Sequence, residues 1–253
     1  LMNEKTGDVI GDINGESQMY PASMTKIMTT IVAIENLKDL NQEITITNDM
    51  VADLYAQDAM QAGFQTNETV QAIDLLYGIM LPSGAECCVA LADTVAGSVS
   101  DFVTLMNEKA EKLGMTGTHF SSISGLHRED HYSTAKDIAI LLRYAIKNST
   151  FREIIESPYH STAGTNIHPD GITFYSTMFK NLSDPSVIDG KILGGKTGYT
   201  SQAGHCLASF AEIDGVEYIL VTAGAAGTGT PHIDDAVKLY NRLGEASSVL
   251  YGK

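Results

Sequence analysis

The sequence predicts an α+β fold: one antiparallel sheet built from both chain ends, flanked by helices, with a helical region inserted between them. Three observations carry this. At the N-terminus, two short strand-like pieces flank a Lys5-Thr6-Gly7 turn, a hairpin pattern. From about Asp39 to Asp189 the chain is mostly helix-periodic, with polar loops. Past Asp189 its character changes, and residues 192–198, 205–213 and 216–224 read as strands. Asp214-Gly215 supplies the hairpin turn between the last two. The expected organisation is one domain over residues 1–253, with a sheet lobe at about 1–36 and 190–253. A helical lobe occupies about 37–189.

The elements follow in order. Pro21 precedes a helical pattern carrying Ile27, Met28, Ile31, Val32 and Ile34. It is apolar on nearly every face, which predicts a buried central helix. Residues 70–81 and 86–96 read as helices separated at Leu81-Pro82-Ser83-Gly84. A helix over 101–113 ends before Gly114. Ser133 opens another that runs through Ile146, and residues 232–243 form the last.

Composition narrows the function. The chain has 253 residues, 43% hydrophobic and 19% charged, and so is globular rather than disordered. Its net charge of −15 disfavours a nucleic-acid partner, which needs clustered cations to replace phosphate counterions. It equally disfavours docking on anionic lipid. No apolar run approaches the roughly 18–20 residues of a membrane span. Cys87, Cys88 and Cys206 are odd in number, with two adjacent, a poor disulfide framework; they read as small buried hydrophobes.

Three short segments carry candidate chemistry. In Ser23-Met24-Thr25-Lys26, serine and lysine stand one helical turn apart, so the amine can reach the hydroxyl. A serine hydroxyl needs such a base to become a nucleophile. The lysine needs burial and nearby positive charge to lower its pKa. Alone the pattern is weak, because Ser133-Thr134-Ala135-Lys136 repeats it; there Ser133 reads as a helix N-cap. In Lys196-Thr197-Gly198, a lysine and a hydroxyl on an edge strand can bind a carboxylate. Gly198 leaves room for close approach of a substrate. Its decoy, Lys5-Thr6-Gly7, is an ordinary turn. Ser83, in Leu81-Pro82-Ser83-Gly84-Ala85, can relay a proton from a tight turn, or simply cap a helix.

The three occur in the order of an established signature of penicillin-binding proteins and class A β-lactamases, Ser-x-x-Lys, a Ser-x-Asn-type element and Lys-Thr-Gly, with Ser83 in the second place. Flanking stretches strengthen the match: Tyr20 to Thr29, Leu81 to Glu86, Gly114 to Phe120, Ser124 to His127, Ser133 to Asp137, and Gly195 to Leu207. The sequence resembles the low-molecular-mass D-alanyl-D-alanine carboxypeptidases, of the β-lactamase/transpeptidase-like fold. The resemblance implies an enzyme without cofactor or metal that acts on peptidoglycan stem peptides ending in D-Ala-D-Ala. β-Lactam antibiotics would be inhibitors. It implies an extracytoplasmic place in the bacterial cell envelope, with any membrane anchor outside these residues. It also implies Ser23 as nucleophile, Lys26 as base and Ser83 as proton relay. Lys196 and Thr197 would hold the substrate carboxylate, and the N–H groups of Ser23 and Tyr199 would form the oxyanion hole.

The sequence departs from the pattern in two places. Ala85 stands where the second motif usually has asparagine, so a substrate-binding amide is missing. An arginine expected near His232 is absent; His232 substitutes for it in part or not at all. Three rival readings remain. A degenerate penicillin-binding sensor or scaffold would explain Ala85. A class A β-lactamase would need a Glu-x-x-x-Asn loop between Ser83 and Lys196, and none occurs. A zinc peptidase would use His127 and His131, spaced i, i+4, if that segment were helical.

Overall fold

The computed structural model describes residues 1–52, 54, 57–182 and 184–251. At its centre is α1 (Thr25–Asn36), buried from Thr25 through Ala33. The helix is apolar all round because it is covered all round. Five helices pack on it: α2 (Ala72–Met80), α3 (Ala85–Ala96), α4 (Val99–Lys112), α5 (Ala135–Ala145) and α6 (Ser149–Glu156).

Beside the helices stands one five-stranded antiparallel sheet. Its strands are β1 (Met2–Asn3), β9 (Val216–Ala225), β8 (Gly204–Ile213), β7 (Gly190–Thr200) and β6 (Ser186–Val187), in that spatial order. The two chain ends do share a sheet, through Met2 opposite Ile219 and Asn3 opposite Tyr218. The N-terminal hairpin is smaller than expected. Met2 meets Val9 in a single bridge, and Gly7 N–H donates to Asn3 O across the Lys5-Thr6-Gly7 turn.

Strand β8 is buried on both faces. Cys206, Ala208 and Phe210 join the core on the α1 side. Leu207, Ala211 and Ile213 join a second core beneath α7 (Pro231–Tyr251). Burial on two sides explains why this strand reads as an apolar run rather than an alternation. On the α7 face, Ser209 Oγ lies 3.1 Å from the hydroxyl of the fully buried Tyr240. The three cysteines are free and buried.

The middle of the chain also supports the sheet, since α5 packs on β8 and β9, and α6 on β7. It holds two small sheets that the residue pattern does not predict. They pair β2 (Glu43–Thr45) with β3 (Thr69–Gln71), and β4 (Tyr159–Ser161) with β5 (Thr173–Tyr175). Three-residue strands are too short to display a period of two. The cap of α5 also differs from expectation. Thr134, not Ser133, accepts the Asp137 N–H, while Ser133 Oγ bonds Thr118. The last helix extends past 243 to Tyr251.

Ile31 is fully buried on α1. Replacing it by alanine leaves a cavity at the junction of the helices. We expect Ile31→Ala to lower unfolding free energy by about 2–5 kcal/mol, measured by urea denaturation.

Candidate active site

Ser23 lies in a short 3-10 turn (Ala22–Met24) that leads into α1, and no side chain caps either helix start. Ser23 is thus not a helix cap. Lys26 Nζ lies 3.3 Å from Ser23 Oγ, and donates to the Ser124 carbonyl at 2.7 Å. Lys26 is only 3% exposed. Burial pulls its pKa below the ordinary lysine value, against smaller opposing effects from Cys88, Glu86 and Cys87.

Ser83 joins α2 to α3 with φ +71°, and its Oγ is buried without a hydrogen-bond partner. The cap position of α3 is Gly84, so Ser83 is not a cap either. A left-handed non-glycine residue and an unpaired buried hydroxyl each cost on the order of 1–3 kcal/mol. Such costs collect at functional sites. Ala85 opens α3 and donates its N–H to Met60 O at 2.8 Å. Glu86 Oε1 accepts the N–H groups of Ala62 (2.6 Å) and Gly63 (2.8 Å). Desolvation raises its pKa, opposed by these backbone donors. The second motif thus grips the segment around Met60 as a wall.

Beyond Lys191, strand β7 has a partner on one side only, β8. Its other edge lies against the Ser23 turn. A Cβ on Gly198 would sit 2.8 Å from Ser23 N and 3.1 Å from Ala22 Cβ. Gly198 is thus required by the protein's own backbone, a reason distinct from the close substrate approach expected of it. Lys196 is fully buried rather than a solvated strand end, and its Nζ donates to Thr197 O at 3.1 Å. Burial, and then the charge of Lys26, push its pKa well down. Thr197 Oγ1 lies 2.6 Å from Thr177 Oγ1.

Ser23, Lys26, Ala85 and Tyr199 line one cleft, walled by Asp58 to Met60 and by Ser124 to Leu126. Lys196 stands close enough for Lys26 to act on its charge. The Tyr199 ring is 4.6 Å from His205, which stacks on His232 at 5.0 Å. Burial and His205 lower the His232 pKa to about 4, so it is neutral at pH 7 and brings no positive charge. Of the two alternatives for His232, a neutral ring leaves it a hydrogen-bonding role at most.

Sequence reasoning passes over Ser124, Gly125 and Thr177 as functional positions. Gly125 carries a signal: its φ is +84°, and a Cβ there would overlap the Ala22 carbonyl. The spaced histidines are not a zinc pair. Residues 126–131 are not helical. His127 packs edge-on against Tyr20, and both ring nitrogens of His131 are engaged by protein groups.

The sequence profile of the D-alanyl-D-alanine carboxypeptidases, peptidase S11, matches residues 1–227. The chain belongs to this family. It is 31% identical over 247 residues to the D-alanyl-D-alanine carboxypeptidase of Streptomyces sp. strain K15, covering 95% of this chain and 84% of that one. It is 30% identical to carboxypeptidase DacF of Bacillus subtilis strain 168, covering 89% of this chain and 56% of that relative. The crystal structure of the Streptomyces K15 DD-transpeptidase superposes with a TM-score of 0.84 at 29% identity, over 96% of this chain and 95% of that one. The expected α+β, transpeptidase-like fold is thereby shown.

In this carboxypeptidase-family fold His131 is 1% exposed, and burial lowers its pKa from 6.5 to about 4. The native state favours the neutral ring. The stability this contributes is present above about pH 6.5 and is lost as pH falls towards 4. Full loss amounts to roughly 3 kcal/mol, and His232 acts in the same window. Urea melts between pH 7.5 and 4.5 should show the decline, and His131→Gln should make it shallower.

Proposed function

We propose that this chain is a serine D,D-carboxypeptidase that removes the terminal D-alanine from peptidoglycan stem peptides. The observation that carries the reading is the buried Lys26 amine 3.3 Å from Ser23 Oγ, tethered by Ser124 O in a cleft shared with Ala85 and Tyr199. Ser23 Oγ attacks the carbonyl between the last two D-alanines, and its proton passes to the Lys26 amine. The N–H groups of Ser23 and Tyr199 stabilise the oxyanion as it develops. As the C–N bond breaks, Ser83, whose hydroxyl has no competing partner, relays that proton from the Lys26 ammonium to the nitrogen of the departing D-alanine. Water then hydrolyses the Ser23 ester.

Lys196 and Thr197 hold the substrate carboxylate. Burial disfavours a charge on either lysine, and the charge of Lys26 further disfavours one on Lys196. An arriving carboxylate favours the ammonium on Lys196. Like-charge repulsion then favours the neutral, basic amine on Lys26. β-Lactams resemble the D-Ala-D-Ala terminus and acylate the same serine. Peptidoglycan lies outside the cytoplasm, so the enzyme works in the cell envelope.

Fluorescent penicillin should label the protein covalently, with the modified peptide containing Ser23, and Ser23→Ala should abolish labelling. Labelling that survives the substitution would refute the assignment. D-Alanine should be released from a diacyl-Lys-D-Ala-D-Ala peptide. Labelling without release would favour a sensor, and acyl transfer to an added amine would favour a transpeptidase.

The acylation rate should rise with pH along a one-proton limb whose midpoint lies below the ordinary lysine value of 10.5. Lys26→Gln should slow acylation by roughly 10²–10⁴-fold, measured by stopped-flow or gel-based labelling.

A further inference from the structure

The reaction described above uses neither His127 nor His131, yet His131 makes more polar contacts than a core histidine requires. Its Nδ1 accepts the N–H groups of Ser121 (3.1 Å) and Ser122 (3.2 Å), and its Nε2 lies 2.7 Å from Thr25 Oγ1. Two N–H donors converging on Nδ1 require it to be unprotonated. The neutral ring therefore carries its hydrogen on Nε2 and donates it to Thr25.

Thr25 precedes Lys26 on α1. Ser121 and Ser122 begin the loop whose far end presents the Ser124 carbonyl to Lys26 Nζ. Two further ties lay this loop along the helix. Thr29 Oγ1 donates to Ile123 O at 2.6 Å. Ser122 Oγ accepts the N–H groups of Ser124 (3.3 Å) and Gly125 (3.1 Å).

We propose that His131 is a positioning residue for acylation, fixing the Ser121–Gly125 loop on α1 so that the Ser124 carbonyl aims the Lys26 amine at Ser23. The inference rests on the reading of Lys26 as base. A neutral amine has two hydrogens and one lone pair. Holding one hydrogen on Ser124 O restricts rotation about the last side-chain bond and keeps the lone pair towards Ser23 Oγ. Without that tether the amine samples other staggered positions, and misorientation of this kind costs about 10–100-fold in rate. The ionisable groups acting on His131 are Asp130, His119, Arg128 and His127, of which His119 precedes the Ser121–Gly125 loop and the others follow it. From α1 it meets the uncharged Thr25, and it lies 5.7 Å from the Phe120 ring. Burial outweighs Asp130 and keeps the ring neutral, as the geometry demands.

The test separates the rate of acylation from the affinity of the non-covalent complex, using penicillin as the reagent and circular dichroism to verify folding. His131→Leu should slow acylation about 10–100-fold and change affinity less than about threefold. His131→Gln retains both an acceptor and a donor and should recover most of the rate. Ser122→Ala, which frees the same carbonyl from the other end, should also slow acylation. The double variant His131→Leu/Ser122→Ala should be less impaired than the product of the single effects.

A folded His131→Leu that acylates at the wild-type rate overturns the proposal, as does a defect confined to affinity. If His131→Leu does not fold, a wild-type acylation rate in Ser122→Ala overturns it. Wild-type protein that is not acylated at Ser23 would instead sink the reading of Ser23 and Lys26, and this inference with it.

Discussion

A lysine amine kept out of water beside a serine hydroxyl is a costly arrangement, and much of this molecule follows from maintaining it. Taking an ammonium from water into a protein interior is penalised so heavily that the group sheds its proton instead. That is the property a base requires. Here burial lowers the Lys26 pKa on a helix covered by five others, with Ser124 O as polar company. The central helix is thus both the hydrophobic axis of the fold and the mount for the chemistry. Loosening its packing would hydrate Lys26 and weaken the burial that lowers its pKa.

Close backbone approach is the second constraint. Ser23 is enclosed from two sides, by the edge of β7 and by the loop ending at Gly125. At each contact a glycine stands where a Cβ would collide with the Ala22–Ser23 backbone. Ala22 itself has φ +46°. The Ser23 turn is therefore held in an unfavourable conformation by neighbours that leave it no alternative. Such over-determination is how local strain persists in a stable protein.

Much of this is legible in residue types. The strands at 205–213 and 216–224, the Asp214-Gly215 turn and the buried central helix all announce themselves by composition and period. The decoys are also legible: Lys5-Thr6-Gly7 is a turn, and Ser133 makes no reactive pair. What escapes detection has a common physical cause. The Ser124 carbonyl and the Met60 wall act through backbone groups, which every residue possesses, so no residue type marks them. The strands β2 to β5 are shorter than any pattern. His131 is visible, but its i, i+4 spacing from His127 points to a metal, and only the non-helical path of residues 126–131 removes that meaning.

Ala85 joins these constraints at one position. An asparagine there would extend a polar amide into the cleft, whereas alanine presents a methyl group beside Ser23 and Lys26. The backbone role of the position survives the change, because Ala85 N–H still holds Met60 O and Glu86 still holds Ala62 and Gly63. The wall of the cleft is therefore independent of the missing side chain. What the cleft lacks at this position is a side-chain amide. The Ser124 carbonyl is the remaining hydrogen-bond acceptor shown to orient the Lys26 amine. On the roles proposed for Lys26 and His131, the absence of the amide concentrates that task on the loop that His131 holds in place, and the aim of the proposed base depends more on packing behind the site than on side chains within it.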